Sequence, residues 1–422
     1  MLPLPLPRTA ALLLCAGLLA ACAGEPEPEI AEPEPTAVAT CWPDGTVPAG
    51  TDAASDADTD ADTDAASGTP DEDAAAVDAT DTPDVDGASD VPAPAVALEE
   101  AGRGYGSPVQ VLPDPAGRTL VVDLGGTIST LEEEPETLLD LRGEVGTENE
   151  QGLLGAAFTP DGQRMLVHYT ALGSGDTVVS EYAHDDGELG DEVRLLRLPQ
   201  AAASHNGGSL LFGPDGWLYL ALGDAGVSEN GQDTDTPYGG VLRMDACEAG
   251  SLRSAPDNPG HGEPRLWMSG LRNPYRIAFD GDLLVVADVG LGDVEEINVV
   301  PRAGGQNLGW PALEGSKCHL GPCDLEDAVA PDVELLHTDD WCAVIGGVVY
   351  RGSAVPDLAG HYLFGDFCRP GLVALPVDDP DAEPVELGIE ADGRVLGFGV
   401  DAAGEAYVTT NQGVVQRIVA AG

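Results

Sequence analysis

The chain has almost no positive charge. Of its 422 residues only 18 are Lys or Arg against 74 Asp or Glu, Lys317 is the single lysine, and the formal net charge is −56. A nucleic-acid partner is excluded, because phosphate binding needs the opposite sign. Aromatic residues are scarce, 20 in all, so stability has to come from aliphatic packing and backbone ladders. The apolar run at residues 10–21 is too short to cross a hydrocarbon core of about 30 Å as a helix. Beyond residue 100, Gly or Pro interrupts nearly every window long enough for three helical turns, which rules out a doubly wound α/β fold. There is no Gly-x-Ser-x-Gly elbow, phosphate loop or His-Glu-x-x-His, so hydrolase and nucleotide chemistry lose support.

What charge there is divides the chain. Residues 23–100 carry 22 acids and no base, whereas residues 101–422 carry 52 acids and 17 bases. The first stretch consists of Glu-Pro and then Asp-Ala-Thr repeats with almost nothing apolar, the composition of a self-repelling, extended linker. Ahead of it, Arg8 and the apolar run read as a secretory signal. The run ends in Leu19-Ala20-Ala21-Cys22, which resembles a bacterial lipoprotein signal and implies acylation of Cys22. The expected organisation is a signal peptide over 1–22, a disordered linker over 23–100 and a folded domain over 101–422. Its expected place is the bacterial cell envelope, on the outer membrane's periplasmic or surface side, with the lipid anchor as the only membrane contact.

The folded part repeats one phrase, a Gly-containing turn followed by a short β-branched strand. It occurs at Pro113-Asp114-Pro115-Ala116-Gly117, Pro160-Asp161-Gly162, Gly213-Pro214-Asp215-Gly216, Asp280-Gly281-Asp282, Leu358-Ala359-Gly360 and Ala402-Ala403-Gly404. The spacing holds a four-stranded sheet per repeat plus loops, which predicts an all-β, six-bladed β-propeller of four-stranded antiparallel blades. The two longest intervals, 216–281 and 281–360, must carry extended loops, where sites tend to sit.

Several residues carry candidate chemistry. His205, in Ser204-His205-Asn206-Gly207-Gly208, stands at a strand end where a neutral imidazole can take a proton from an alcohol. A structural loop histidine is the alternative. Asp224 follows the next strand and either orients that imidazole or is an ordinary turn aspartate. Arg272-Asn273-Pro274 presents a planar fork and an amide suited to a carboxylate or a quinone-type oxygen, with a surface ion pair as the alternative. Asp288-Val289-Gly290-Leu291-Gly292-Asp293 sets glycines between acids, a place for carbonyls to face calcium or else a solvated acidic loop. Outside the signal segment and Cys22 there are six cysteines, and an even count in an exported chain argues for disulfides. Cys318–Cys323 and Cys342–Cys368 are two candidate pairs among the fifteen pairings six cysteines allow.

Taken in order, Gly152-Leu153-Leu154-Gly155, His205-Asn206-Gly207-Gly208, Gly223-Asp224, Gly270-Leu271-Arg272-Asn273-Pro274, Asp288-Val289-Gly290, Gly305-Gln306-Asn307-Leu308-Gly309-Trp310-Pro311 and Gly346-Gly347-Val348-Val349-Tyr350 resemble the soluble quinoprotein sugar dehydrogenases. That family also includes Hedgehog-interacting-protein-like propellers. The resemblance implies a pyrroloquinoline quinone (PQQ) cofactor and Ca2+, an aldose sugar or related alcohol as substrate, and a separate electron acceptor. It implies His205 as the base with Asp224 its partner, Arg272 and Asn273 at the quinone oxygens, and the carbonyls of Gly290 and Leu291 on the calcium. Glu150 stands where some members have Gln, and Arg369 lies in the region of the family's Lys. Arg394-Val395-Leu396 replaces the Arg-x-Arg pair of active members, so Arg394 is the one cation kept there. The segment from Val395 to Asp401 is closer to the Hedgehog-interacting-like branch, which implies the alternative of a non-catalytic propeller that binds a glycan or protein.

Overall fold

The computed structural model describes residues 94–422 apart from 261, 326, 380 and 381. The signal segment, Cys22, Cys41 and nearly all of the linker lie outside the described residues. Among the described residues there are only strands and three short 3-10 helices, Ser228–Gln232, His337–Asp339 and Pro356–Leu358.

Six strands begin antiparallel series: Pro108–Pro113, Leu153–Phe158, Leu210–Phe212, Pro274–Asp280, Val344–Val349 and Val395–Val400. All six contribute to the wall of one cavity of about 460 Å3. The molecule is an all-β propeller with these inner strands around the axial cavity. Aliphatic side chains fill the space between successive sheets. Leu120, Val122 and Ile128 pack with Met165, Val167 and Val178, all at most 2% exposed. Burial of each such side chain contributes on the order of 2 kcal/mol.

The repeated turn phrase has one structural place. In all six copies it joins an inner strand to the strand that follows it. The glycine takes the left-handed conformation, with φ of 93° at Gly117, 79° at Gly216 and 76° at Gly404, which explains the recurrence of that residue type.

The hydrogen-bonded sheets are not six separate quartets. Strands 153–198 and 344–390 form four-stranded sheets, and Pro274–Asp280, Leu283–Asp288, Val294–Pro301 and Val333–Leu336 form a third. Residues 210–269 form a five-stranded sheet, Leu313–Glu314 pairs with Lys317–Cys318, and the first and last parts of the domain merge into one eight-stranded sheet. The merger rests on two parallel pairs, Gln110 with Phe398 and Val111 with Gly399. Glycine makes it possible: a Cβ on Gly397 would lie 1.9 Å from the Val109 carbonyl, and one on Gly399 would lie 1.8 Å from that of Val111.

The first described strand, Val96–Arg103, pairs along its length with the last, Val414–Ala420. The described strands therefore begin at Val96, within the stretch that composition reads as linker. Glu99 and Glu100 gave that stretch the composition of the linker, while Val96 and Leu98 supply the buried face.

A second repeated device fixes the start of five of the six inner strands. Asp123, Asp288 and Asp366 each end the second strand of a series and are at most 7% exposed. Asp123 accepts from the amides of Gly106 and Ser107 at 2.6 and 2.8 Å, Asp288 from Arg272 and Asn273 at 2.8 and 2.6 Å, and Asp366 from Cys342 and Ala343 at 3.2 and 2.8 Å. In two other series a neutral side chain does the same, Thr170 for Gly152 and Asn411 for Arg394. The disulfide Cys342–Cys368 spans the same place as the Asp366 clamp, and Cys318–Cys323 closes a short loop. Both expected pairs are thus present, and Cys247 is disulfide-bonded as well.

Removing a clamp leaves buried amides without acceptors. Asp366→Ala is expected to cost about 3 kcal/mol in urea unfolding and Asp366→Asn about half as much; equal stability of the alanine variant and wild type would contradict the assignment.

Candidate active site

The site is built at the end of the inner strands where the clamps lie. Glu150, His205–Gly208 and Arg272–Asn273 each precede an inner strand, so the backbone turning into the barrel sets their positions. His205 has φ of 57°, an uncommon conformation for a residue with a side chain. Glu150 holds it there, accepting from the His205 amide at 2.8 Å and from Asn273 Nδ2 at 3.1 Å. The Asn273 side-chain oxygen in turn accepts from the Gly207 amide at 3.0 Å. Gly223 clears the way, since a Cβ there would lie 2.3 Å from the His205 carbonyl oxygen.

The imidazole is held at both nitrogens. Nδ1 lies 2.6 Å from Asp224 Oδ1, and Nε2 lies 2.9 Å from Arg272 Nη2. A guanidinium only donates, so Nε2 is the acceptor nitrogen and Nδ1 carries the proton given to Asp224. The lone pair that takes a proton therefore sits at Nε2. Asp224 is fully buried and also accepts from Trp310 Nε1 at 3.0 Å and from the Gly226 amide at 2.8 Å.

Arg272 links the histidine to the glycine loop. Its Nη1 donates to the carbonyls of Val289 and Gly290 at 2.8 and 2.7 Å, and its guanidinium lies 5.6 Å from the Trp310 ring centre. Its Nε is buried with no partner, and no described carboxylate pairs with it. The loop carbonyls point this way because acids take the loop's amides. Glu314 accepts from Leu291, Gly292 and Asp293, and Glu295 from Gly290. Burial pushes Glu314 up, but these amides outweigh it and hold its carboxyl below the usual range. Gly290 is required, as a Cβ would lie 1.7 Å from the Val294 carbonyl oxygen.

Three acids beneath the loop are pushed the other way. Burial raises Asp288 to about 6, against the amides of Arg272 and Asn273 that lower it. Burial raises Glu295 to about 7, opposed by the Val344 amide and His337. Burial and then the charge of Asp288, its cross-strand partner, raise Glu296 to about 8.

The expected residues are thus partly gathered. His205, Asp224, Glu150, Arg272, Asn273 and Gly290 form one hydrogen-bonded cluster. The carbonyls that accept from the Arg272 guanidinium are those of Val289 and Gly290; Leu291 gives its amide to Glu314 and exposes its side chain. Arg369 is paired with Glu386 at 2.7 Å and lies over Trp341, beside a cavity of about 800 Å3 that includes His337. Arg394 is exposed and stacks on Phe367. No described hydrogen bond joins Arg369 or Arg394 to the cluster. Trp310 and Asp288 lie in motifs already picked out, but their roles here, bonding Asp224 and clamping the Arg272 and Asn273 amides, were not read from them. Glu314 carries no local signal among so many other acids.

A propeller with a histidine–aspartate pair beside an unpaired arginine and a carbonyl-lined loop is the class of protein the fold and site define. Residues 106–417 match the family model for glucose / sorbosone dehydrogenase, and the chain belongs to that family. HIPL2 protein of Arabidopsis thaliana is 31% identical over 235 residues, 45% of this chain and 34% of that protein. Human Hedgehog-interacting protein is 28% identical over 365 residues, 74% of this chain and 50% of that protein. Quinoprotein glucose dehydrogenase B of Acinetobacter calcoaceticus is 28% identical over 233 residues, 46% of each. The chain thus spans about a third to a half of the length of these curated relatives. Among solved structures, PQQ-bound aldose sugar dehydrogenase from Streptomyces coelicolor has a TM-score of 0.64 at 23% identity, covering 78% of this chain and 99% of that one. The apo-form of the soluble aldose sugar dehydrogenase from Escherichia coli has a TM-score of 0.66 at 21% identity, covering 77% and 100%. These two share the propeller fold.

The raised carboxyl of Glu296 has a sign that can be tested. A folded-state value above the unfolded one adds stability that is full below about 4.5 and is lost as pH rises through about 8. Glu296→Gln mimics the protonated form, so its unfolding free energy should match wild type near pH 4.5 and exceed it by about 4 kcal/mol at pH 8.5. A difference that does not grow with pH would contradict the assignment.

Proposed function

We propose that the chain is a PQQ- and Ca2+-dependent oxidoreductase of an aldose sugar or related alcohol, built as a six-bladed propeller. Six inner strands around one cavity and six equivalent glycine turns support the blade count, with the eight-stranded sheet divided at its two parallel pairs. The observation that carries the activity is the fixed tautomer of His205, whose Nε2 lone pair lies beside an arginine with no acid partner.

The donor set fits the cofactor and metal in two respects. Two carbonyls already converge on one positive group, and among the described residues of a strongly acidic domain Arg272 and Arg394 have no carboxylate partner, with Arg272 Nε unsatisfied. Arg272, Asn273, Glu150 and Arg394 would hold the quinone, with Arg369 once released from Glu386, and the carbonyls of Gly290 and either Val289 or Leu291 the calcium. When bound, the quinone supplies a two-electron acceptor for the hydride of the carbinol carbon. His205 Nε2 takes the hydroxyl proton, Asp224 holds the imidazole and balances the charge it gains, and Trp310 fixes Asp224. Arg272 must leave Nε2 for that proton to arrive. An external acceptor then removes the electrons.

Protein purified with PQQ and Ca2+ should retain quinone absorbance and reduce a dye with members of a sugar panel. His205→Ala should keep the absorbance and lower kcat by about 10²–10⁴. Loss of both absorbance and turnover in wild type would instead favour a non-catalytic propeller that binds a glycan or protein. Leu396 in place of a second arginine and the likeness to human Hedgehog-interacting protein speak for that reading.

We further propose lipid attachment at Cys22 in the cell envelope, supported by Leu19-Ala20-Ala21-Cys22 and the linker composition. Cys22→Ser should move the protein from the detergent phase to the aqueous phase on phase separation; unchanged partitioning would count against the anchor.

A further inference from the structure

Basic residues are few enough here that each can be followed. Among the described arginines, all but Arg272, Arg276 and Arg394 form an ion pair with an Asp or Glu. Arg272 belongs to the cluster around His205, and Arg394 is exposed. Arg276 is neither: it is 7% exposed, and it lines the axial cavity.

Its surroundings are built for it. A Cβ on Gly208 would lie 2.3 Å from Arg276 Nη1, and one on Gly346 would lie 2.7 Å from its Cβ. Nη1 donates to the Tyr275 carbonyl and Nη2 reaches across to the Val109 carbonyl, both at 2.9 Å, with the guanidinium 4.3 Å from the Tyr275 ring centre. A buried guanidinium with no counter-ion is strongly disfavoured, and an acidic domain had many carboxylates to offer it. The other polar side chains of the cavity are occupied. Gln110 exchanges two hydrogen bonds with the Ala156 backbone, and Ser209 accepts from the Ile277 amide. Nearby His168 is kept neutral by burial, which pushes it down to about 4, so near neutral pH Arg276 is the cation facing this space. The rest of the wall is apolar, including Leu154, Phe212, Phe279 and Val348. Neither His205 nor Arg272 takes part in it.

An apolar chamber of this size with one buried positive group has the make-up of a small-molecule site. We propose that the axial cavity binds an organic carboxylate, with its carboxylate on Arg276 and its apolar body against the inner strands. The site is separate from the His205 cluster and does not depend on the quinone.

Benzoate is the probe, with benzyl alcohol as its neutral match, measured by calorimetry on the full chain. Benzoate should bind saturably, benzyl alcohol about tenfold or more weakly, and Arg276→Gln should weaken benzoate by a similar factor, whereas Arg272→Gln should not. Isotope-filtered NOEs from the benzoate ring to the methyls of Leu154 and Val348 locate the ligand without any variant, and so decide the matter if Arg276→Gln fails to fold. Absence of saturable binding, equal binding of the alcohol, loss through Arg272→Gln in place of Arg276→Gln, or binding without those NOEs would each overturn the proposal.

Discussion

Everything at the working end of this propeller depends on buried carboxylates accepting backbone amides. With acids outnumbering bases about three to one in the domain, most acids cannot be neutralised by a partner of opposite charge. Those at the entry to the inner strands and under the glycine loop go to N–H groups instead. That choice has a geometric effect: peptides whose N–H points at Asp288, Glu295 or Glu314 send carbonyls the opposite way. The positive-seeking surface of the loop is thus produced by negative groups behind it. Among the described arginines, only Arg272, Arg276 and Arg394 have no acid partner.

Much of this was legible in the sequence, and what was not has a physical cause. The turn phrase could be read because one φ angle admits few residue types, and Gly117, Gly216 and Gly404 obey it. His205, Asp224, Arg272 and Asn273 could be read because a short motif fixes each one's chemistry, and the fold brings them into contact. The clamping acids could not, since Asp123, Asp288 and Asp366 look like any other acid until the partner amides, well away in sequence, are known. Carbonyl direction is a property of peptide planes, so the pairing of Val289 with Gly290 on Arg272 had no signature. The closing strand was hidden by Glu99 and Glu100, whose side chains face outward while Val96 packs inward.

Arg272 occupies two roles that a bound ligand would separate. Its Nη1 sits on the loop carbonyls as a cation would, and its Nη2 covers the basic nitrogen of His205. On the proposed function, a metal ion on those carbonyls would repel the guanidinium and an anionic group nearby would attract it. Either displacement would bare Nε2 and so tie assembly of the site to the exposure of its base.

The pairing of Val96–Arg103 with Val414–Ala420 sets an order of events in time. Most of the other sheets are made of neighbouring segments and can form as the chain emerges from the ribosome or a translocation channel. The eight-stranded sheet cannot, because five of its strands precede all the other described strands and three follow them. Until then the ring is an open arc with two bare strand edges, held only by whatever keeps it soluble. Joining ends this far apart carries the largest loop-closure entropy in the molecule and belongs to the slowest class of contacts. Closure of the ring therefore waits on the pairing of Val96–Arg103 with Val414–Ala420.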